Sequence, residues 1–190
     1  MNAPDFFRQR NLCLADLLTR PASDAALADP NREILAHLLA GRMLGEGCLP
    51  AHLGLGEEGF ARLCADYFPG WLLPMADGGA ESIPEADDLR RLLSDHLATD
   101  LVSAPWMSEI VVTACAGSDH LWQDLGLPDR AWLSRLMQLN FPLLAAANSG
   151  DMKWKKFLYR QFCAREGIYV CPAPSCGECH DFARCFGPEN

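Results

Sequence analysis

The chain has 190 residues, 49% of them hydrophobic, a formal net charge of −9 and a pI of about 4.9. That length suits one domain, or one domain with a small module, and supplies enough apolar residues for a sizeable core. The acidic balance argues against a protein that mainly grips phosphate backbones. The N-terminal stretch carries charges at Asp5, Arg8 and Arg10 where an export signal needs an apolar run, and no segment approaches the roughly 18 apolar residues of a membrane span. The expectation is a soluble, cytoplasmic chain with no membrane or nucleic-acid partner.

Most segments carry helical periodicity. Residues 5–19 set Phe6, Leu12, Cys13, Leu17 and Leu18 on a loose stripe that Pro21 ends. Ala22 to Ala28 forms a short helical turn before Pro30. Residues 31–44 place Ile34, Leu35, Leu38, Leu39 and Met43 on an amphipathic face. Gly45 to Gly59 holds five glycines and one proline and reads as a loop. A helix begins at Glu57 or Glu58, runs through Phe60, Leu63, Cys64 and Tyr67, and stops at Pro69-Gly70. Ser82-Ile-Pro-Glu85 is a capping-box pattern, and the helix after it shows Leu89, Leu92, Leu93, His96, Leu97 and Leu101 on one face. Pro105 starts a helix through Ile110, Val111 and Ala114, and Pro128 starts another through Leu133, Leu136 and Met137. Asn148-Ser-Gly150 is a break, and a last helix covers about residues 151–166. No alternating strand pattern and no internal repeat is visible. The predicted architecture is all-α: a helical domain over 1–150, then a basic helix and an irregular Cys-rich metal-cluster loop over 151–190, packed together as one domain.

That loop carries the clearest chemistry. Cys171, Cys176, Cys179 and Cys185 form a C-x4-C-x2-C-x5-C run. Five further cysteines, Cys13, Cys48, Cys64, Cys115 and Cys163, are scattered and read first as small buried hydrophobes. An odd cysteine total in a cytoplasmic chain argues against a disulfide framework. Structural zinc sites join two ligand pairs across a longer finger, whereas here a single C-x2-C is flanked closely on both sides. Tight consecutive thiols suit an iron–sulfur cluster better, with zinc left open. Pro172 and Pro174 stiffen the first gap and Gly177 permits tight folding in the middle one.

The helix before the loop holds every lysine of the chain. Lys153, Lys155, Lys156, Arg160 and Arg165 give residues 151–165 five positive charges against one negative, Asp151. A solvated basic face is one reading; an anion site beside the cluster, built from Lys153, Lys155, Lys156 and Arg160, is the other. His180 adjoins Cys179 and Cys163 precedes the loop, so each is a candidate further ligand or an idle side chain. Cys115 and His120, near Asp119 and Asp124, are the remaining grouping of ligand types. Its bland alternative is a helix junction in which Gly117 turns the chain and Asp119 caps the next helix. His96 reads as a hydrogen-bonded core histidine, and His37 and His52 carry no signal. No nucleophile-with-base motif, phosphate loop or dinucleotide fingerprint is present, so hydrolase or kinase chemistry has nothing in the sequence to rest on.

Several of these residues together resemble one family. Met152-Lys-Trp-Lys-Lys-Phe157, Cys163, Tyr169-Val-Cys171, Pro174-Ser-Cys176, Cys179 and Cys185-Phe-Gly-Pro188 look like the C-terminal signature of NifQ. Ala114 to Gly126 and Tyr67 to Gly70 are similar to it as well. The resemblance implies a nitrogen-fixation protein that carries an iron–sulfur cluster (3Fe-4S or 4Fe-4S) and takes molybdenum from molybdate into a Mo-Fe-S form. It also implies delivery to nitrogenase iron–molybdenum cofactor synthesis, with the cofactor scaffold complex and the nitrogenase iron protein as partners. Two rival readings stay open at this point. One is a helical repair glycosylase with a structural cluster, against which stand the shorter first gap and the acidic charge. The other is a structural zinc module for protein contacts.

Overall fold

The computed structural model describes residues 3–71, 83–165, 167 and 182–189. Eleven helices and no strand occur among them, so the chain is all-α as the periodicity predicts. They are α1 (Ala3–Thr19), α2 (Asp24–Ala28), α3 (Asn31–Met43), α4 (Gly56–Tyr67), α5 (Ala86–Ser94), α6 (Ala104–Cys115), α7 (Leu121–Asp124), α8 (Arg130–Asn140), α9 (Pro142–Ala147), α10 (Trp154–Arg165) and α11 (Phe182–Phe186). None of these helices is long and apolar enough to cross a membrane.

Most boundaries follow local chemistry, and three differ from the expectation. The helix expected to reach Leu101 stops at Ser94: the chain turns there, and Ala98 N–H donates to the Asn140 carbonyl at 2.8 Å. Leu97 still packs on the core from that turn, which is why the apolar stripe outlasts the helix. Ser82 of the expected capping box lies outside the described residues, and Glu85 stands at the N-cap with no side-chain capping bond. The helix expected from Pro128 begins at Arg130, because the Asp129 carboxylate accepts from Trp132 N–H at 3.1 Å. It then breaks at Phe141 (φ −137°, ψ 58°), where the following Pro142 disfavours helical backbone and opens α9 instead.

Helix α3 departs furthest from its sequence pattern. Its apolar stripe suggests a helix with one wet face, yet every residue from Ile34 to Gly41 is buried. Ala36, Ala40 and Gly41 are small enough to let neighbours close over the other sides. A Cβ at Gly41 would lie 2.2 Å from the Gly126 carbonyl oxygen, so α3 and the turn after α7 meet backbone to backbone. The Arg10 guanidinium of α1 fastens that contact, donating to the Gly126 carbonyl at 2.8 Å and to the His37 carbonyl at 3.1 Å, and pairing with Glu46. His37 is buried against Trp132, ring centroids 3.9 Å apart, and burial together with the nearby Arg10 charge pulls its pKa down to about 4. It is therefore a neutral core side chain at physiological pH. His96 is hydrogen-bonded as expected, with Nδ1 2.8 Å from the Leu92 carbonyl oxygen, but it is half-buried in the turn after α5 rather than part of the core.

A buried polar network locks the helices in register. Asp29 accepts from the Tyr67 hydroxyl at 2.6 Å, from the Ser103 hydroxyl at 2.7 Å and from Asn31 N–H at 2.8 Å. Asn31 and Asn140 exchange side-chain amide bonds at 2.7 and 2.9 Å, and Asn140 also donates to the Leu136 carbonyl at 2.9 Å. The segment before α3 is thereby joined to α4, α6 and α8 by buried groups. Replacing one member strands the others. Asn140→Leu is expected to destabilise the fold by about 1–3 kcal/mol with an unchanged denaturant slope, measured by urea unfolding. A loss below about 0.5 kcal/mol, the range of an ordinary surface substitution, would contradict a structural role for the network.

Candidate functional site

Helix α10 is attached by its aromatic side. Trp154, Phe157 and Leu158 are buried, and the Trp154 and Phe157 rings meet edge to face at 5.7 Å. At the far end Arg165 pairs with Asp95 at 2.8 Å, across to the turn that follows α5. The four cations expected to form an anion site do not share one environment. Lys156 and Arg160 are exposed and Lys153 is half-buried. Lys155 points inward: its Nζ donates to the Gly117 carbonyl at 2.8 Å and forms an ion pair with Asp124. With side-chain exposures of 18% for Lys155 and 4% for Asp124, this charge is committed to the interior.

The 114–126 block is the other half of that contact. Asp124 also accepts from Asp119 N–H at 3.1 Å, and its carbonyl accepts from Cys48 N–H at 2.9 Å. Gly117 has no room for a side chain, since a Cβ there would lie 2.2 Å from Asp124 Oδ1 and 2.7 Å from Cys48 Sγ. The N-cap of α7 is His120 rather than Asp119, and Gln123 Oε1 accepts from His120 N–H at 3.2 Å. Asp119 instead supplies a backbone donor to Asp124.

Two thiols face this interior. Burial pushes the Cys115 thiol up to about 12, opposed by the Lys155 charge. Burial, reinforced by the Asp124 charge, pushes the Cys48 thiol up to about 11. Both are protonated at neutral pH and neither is a ready thiolate. Cys48, read from the sequence as a small buried hydrophobe, is half-buried, with Sγ 3.6 Å from the Ala114 carbonyl oxygen. His120 faces elsewhere, with Nδ1 3.7 Å from the Glu189 carboxylate. Among the described residues, no group of three or more His, Cys, Asp and Glu side chains is arranged to hold a metal ion.

Of the four clustered cysteines, Cys185 belongs to the described residues; Cys171, Cys176, Cys179 and His180 lie outside them. Cys185 sits on α11, a half-buried free thiol. Its carbonyl accepts from Lys153 N–H at 2.8 Å, so α11 docks on the residue that precedes α10. Phe182 and Phe186 stack at 4.5 Å, and Phe186 lies against Gly150. Beyond α11, Glu189 reaches Arg130 at 2.8 Å, and Arg130 also holds Asp151 at 2.7 Å. Cys163, on the last turns of α10, is another half-buried free thiol. The structure thus brings Cys185, Lys153, Arg130 and His120 to one corner, and Lys155, Asp124, Cys48 and Cys115 to an adjoining buried one.

Comparison with known proteins is consistent across the chain. The family model described as NifQ matches residues 34–187. Protein NifQ of Azotobacter vinelandii is 42% identical over 160 residues, covering 76% of this chain and 82% of the relative. Protein NifQ of Rhodobacter capsulatus is 38% identical over 157 residues, covering 82% and 87%. Protein NifQ of Klebsiella pneumoniae is 46% identical over 113 residues, covering 59% and 66%. No solved structure matches the chain.

The buried pair gives a direct test. Lys155→Met leaves the Asp124 carboxylate desolvated without its counter-charge and is expected to cost about 3–5 kcal/mol in urea unfolding of the metal-free protein. Adding Asp124→Asn to that variant should restore part of the loss. A single variant as stable as the parent chain would show that Lys155 does not hold α10 to the 114–126 block.

Proposed function

The chain belongs to the NifQ family, and on that premise we propose that it is an iron–sulfur molybdenum carrier. In this reading it takes molybdenum from molybdate into a Mo-Fe-S cluster and passes it to nitrogenase iron–molybdenum cofactor synthesis. The cofactor scaffold complex and the nitrogenase iron protein receive it. The observation that carries the reading is the four-thiol run that follows the basic helix in sequence, in a chain whose family is known.

The donor set fits an iron–sulfur cluster. Four soft thiols are available within a short span, and Cys185 is a free, half-buried thiol on an anchored helix rather than half of a disulfide. Cys171, Cys176, Cys179 and Cys185 are the assigned holders, with Cys163 and His180 as possible additional ligands. A bound cluster supplies sulfide and iron to which molybdenum can bond. The chain's own contribution is electrostatic and positional. A protein of net charge −9 repels a dianion, so molybdate must be drawn by local charge within about 8 Å, the reach left by physiological salt. Lys153, Lys156 and Arg160 offer that charge on α10 and its leading residue. Lys155, the fourth cation, serves by holding the helix in place through Asp124. Cys115 and His120, the other possible ligands, lie on opposite sides of the α6–α7 turn. Cys115 faces inward and His120 faces the corner that holds Cys185.

Two sets of variants test this assignment. Alanine at Cys171, Cys176, Cys179 or Cys185 should each lower iron and acid-labile sulfide in protein prepared without oxygen. Lys153→Glu with Lys156→Glu should cut molybdenum loading several-fold while iron stays near the parent level. That pair avoids Lys155, whose replacement would disturb the fold as well. Normal loading in the double variant would remove the anion-attracting role.

A further inference from the structure

The corner holding Cys185 contains a carboxylate in an unusual setting. The Glu189 side chain is 3% exposed, and Oε1 lies 2.8 Å from Arg130 Nη1 and 3.7 Å from His120 Nδ1. Oε2 is buried and has no hydrogen-bond partner among the described residues. A desolvated carboxylate oxygen without a donor is unfavourable, so Glu189 fills this corner without matching it. The cationic side is preorganised independently of Glu189. Arg130 Nη2 donates to Asp151 Oδ1 at 2.7 Å and to the carbonyls of Asp151 and Met152 at 3.2 and 3.4 Å, which fixes the guanidinium. Asp151 is exposed, so water screens its charge. His120 is held by its place at the N-cap of α7.

We propose that Arg130 and His120 form a binding subsite for a tetrahedral oxyanion, and that Glu189 is its built-in occupant, displaced when the oxyanion enters. With Nη2 committed to Asp151 and Met152, Arg130 offers a charge-assisted N–H donor at Nη1, suited to an oxyanion with several acceptor oxygens. Such a ligand takes over the contacts that Glu189 makes with Arg130 and His120 and leaves Glu189 to hydrate. The exchange also reaches the cysteine run. Glu189 follows α11 by three residues, and the same short segment is tied down by the Lys153–Cys185 backbone bond and by Phe186 against Gly150. Releasing Glu189 removes one of the tethers that hold Cys185 in place. Identifying the oxyanion as molybdate rests on the carrier function proposed above; the subsite itself is defined by charge and geometry and would also take sulfate.

Titration calorimetry on the full-length, metal-free chain tests the exchange, with molybdate and sulfate as separate probes. An internal competitor lowers apparent affinity by the fraction of sites it leaves open. Glu189→Gln should therefore tighten molybdate binding about tenfold or more, and Glu189→Ala should reproduce the gain. Adding Arg130→Met, or His120→Gln as a milder change, should remove it. An unchanged dissociation constant in both Glu189 variants, or a gain that survives both second substitutions, would overturn the subsite. Tightening for molybdate and sulfate alike would uphold the subsite while counting against molybdate as its dedicated ligand. Failure here leaves the molybdenum-loading result for the lysine variants standing by itself, so the two proposals fail separately.

Discussion

The buried pair of Lys155 and Asp124 is the constraint on which the C-terminal region depends. Through it, a helix otherwise held by apolar packing and the Arg165–Asp95 ion pair is pinned to the turn between α6 and α7. That turn is in turn fixed to the middle of the molecule. Asp124 binds the backbone of Asp119 and Cys48, and the Gly126 carbonyl takes Arg10 and presses on Gly41 of the fully buried α3. A buried charge tolerates no vacancy opposite it. The position of α10, and of the α11 corner built on its leading residue, is therefore set from the core outward.

Much of the fold was legible because helices announce themselves through spacing and proline. The stripe over 31–44, the Pro105 start and the Asn148-Ser-Gly150 break all correspond to observed elements. What was illegible depended on partners far away in sequence. Periodicity identifies the apolar face of α3, but nothing local says that Ala36, Ala40 and Gly41 will meet other elements on the remaining faces. The split at Phe141 is a local effect of Pro142 hidden inside a continuous apolar pattern. The Asp29–Asn31–Ser103–Asn140 network joins side chains up to 109 positions apart, each of which looks like an ordinary polar residue in its own segment.

The site divided in the same way. The cysteine run, with its fixed spacing, is a signal carried by neighbours in sequence. The lysine cluster is also local, but its meaning is not. Three lysines within four positions look like one solvated basic face, yet a helix turns about 100° per residue, so Lys155 and Lys156 cannot share an outlook. Lys155 goes to Asp124, 31 positions earlier, while Lys156 is exposed. Glu189 and Arg130 carried no pattern at all, because an ion pair between a loop residue and a helix start has no period.

The proposed carrier role requires that the cysteines following this helix in sequence hold an iron–sulfur cluster that takes up molybdenum. The most direct measurement is metal and acid-labile sulfide analysis with electron paramagnetic resonance on the full chain prepared without oxygen, before and after molybdate is supplied. The account predicts a brown protein with iron and sulfide, whose resonance changes as molybdenum is taken up. A colourless protein holding one zinc per chain, unchanged by molybdate, would contradict it.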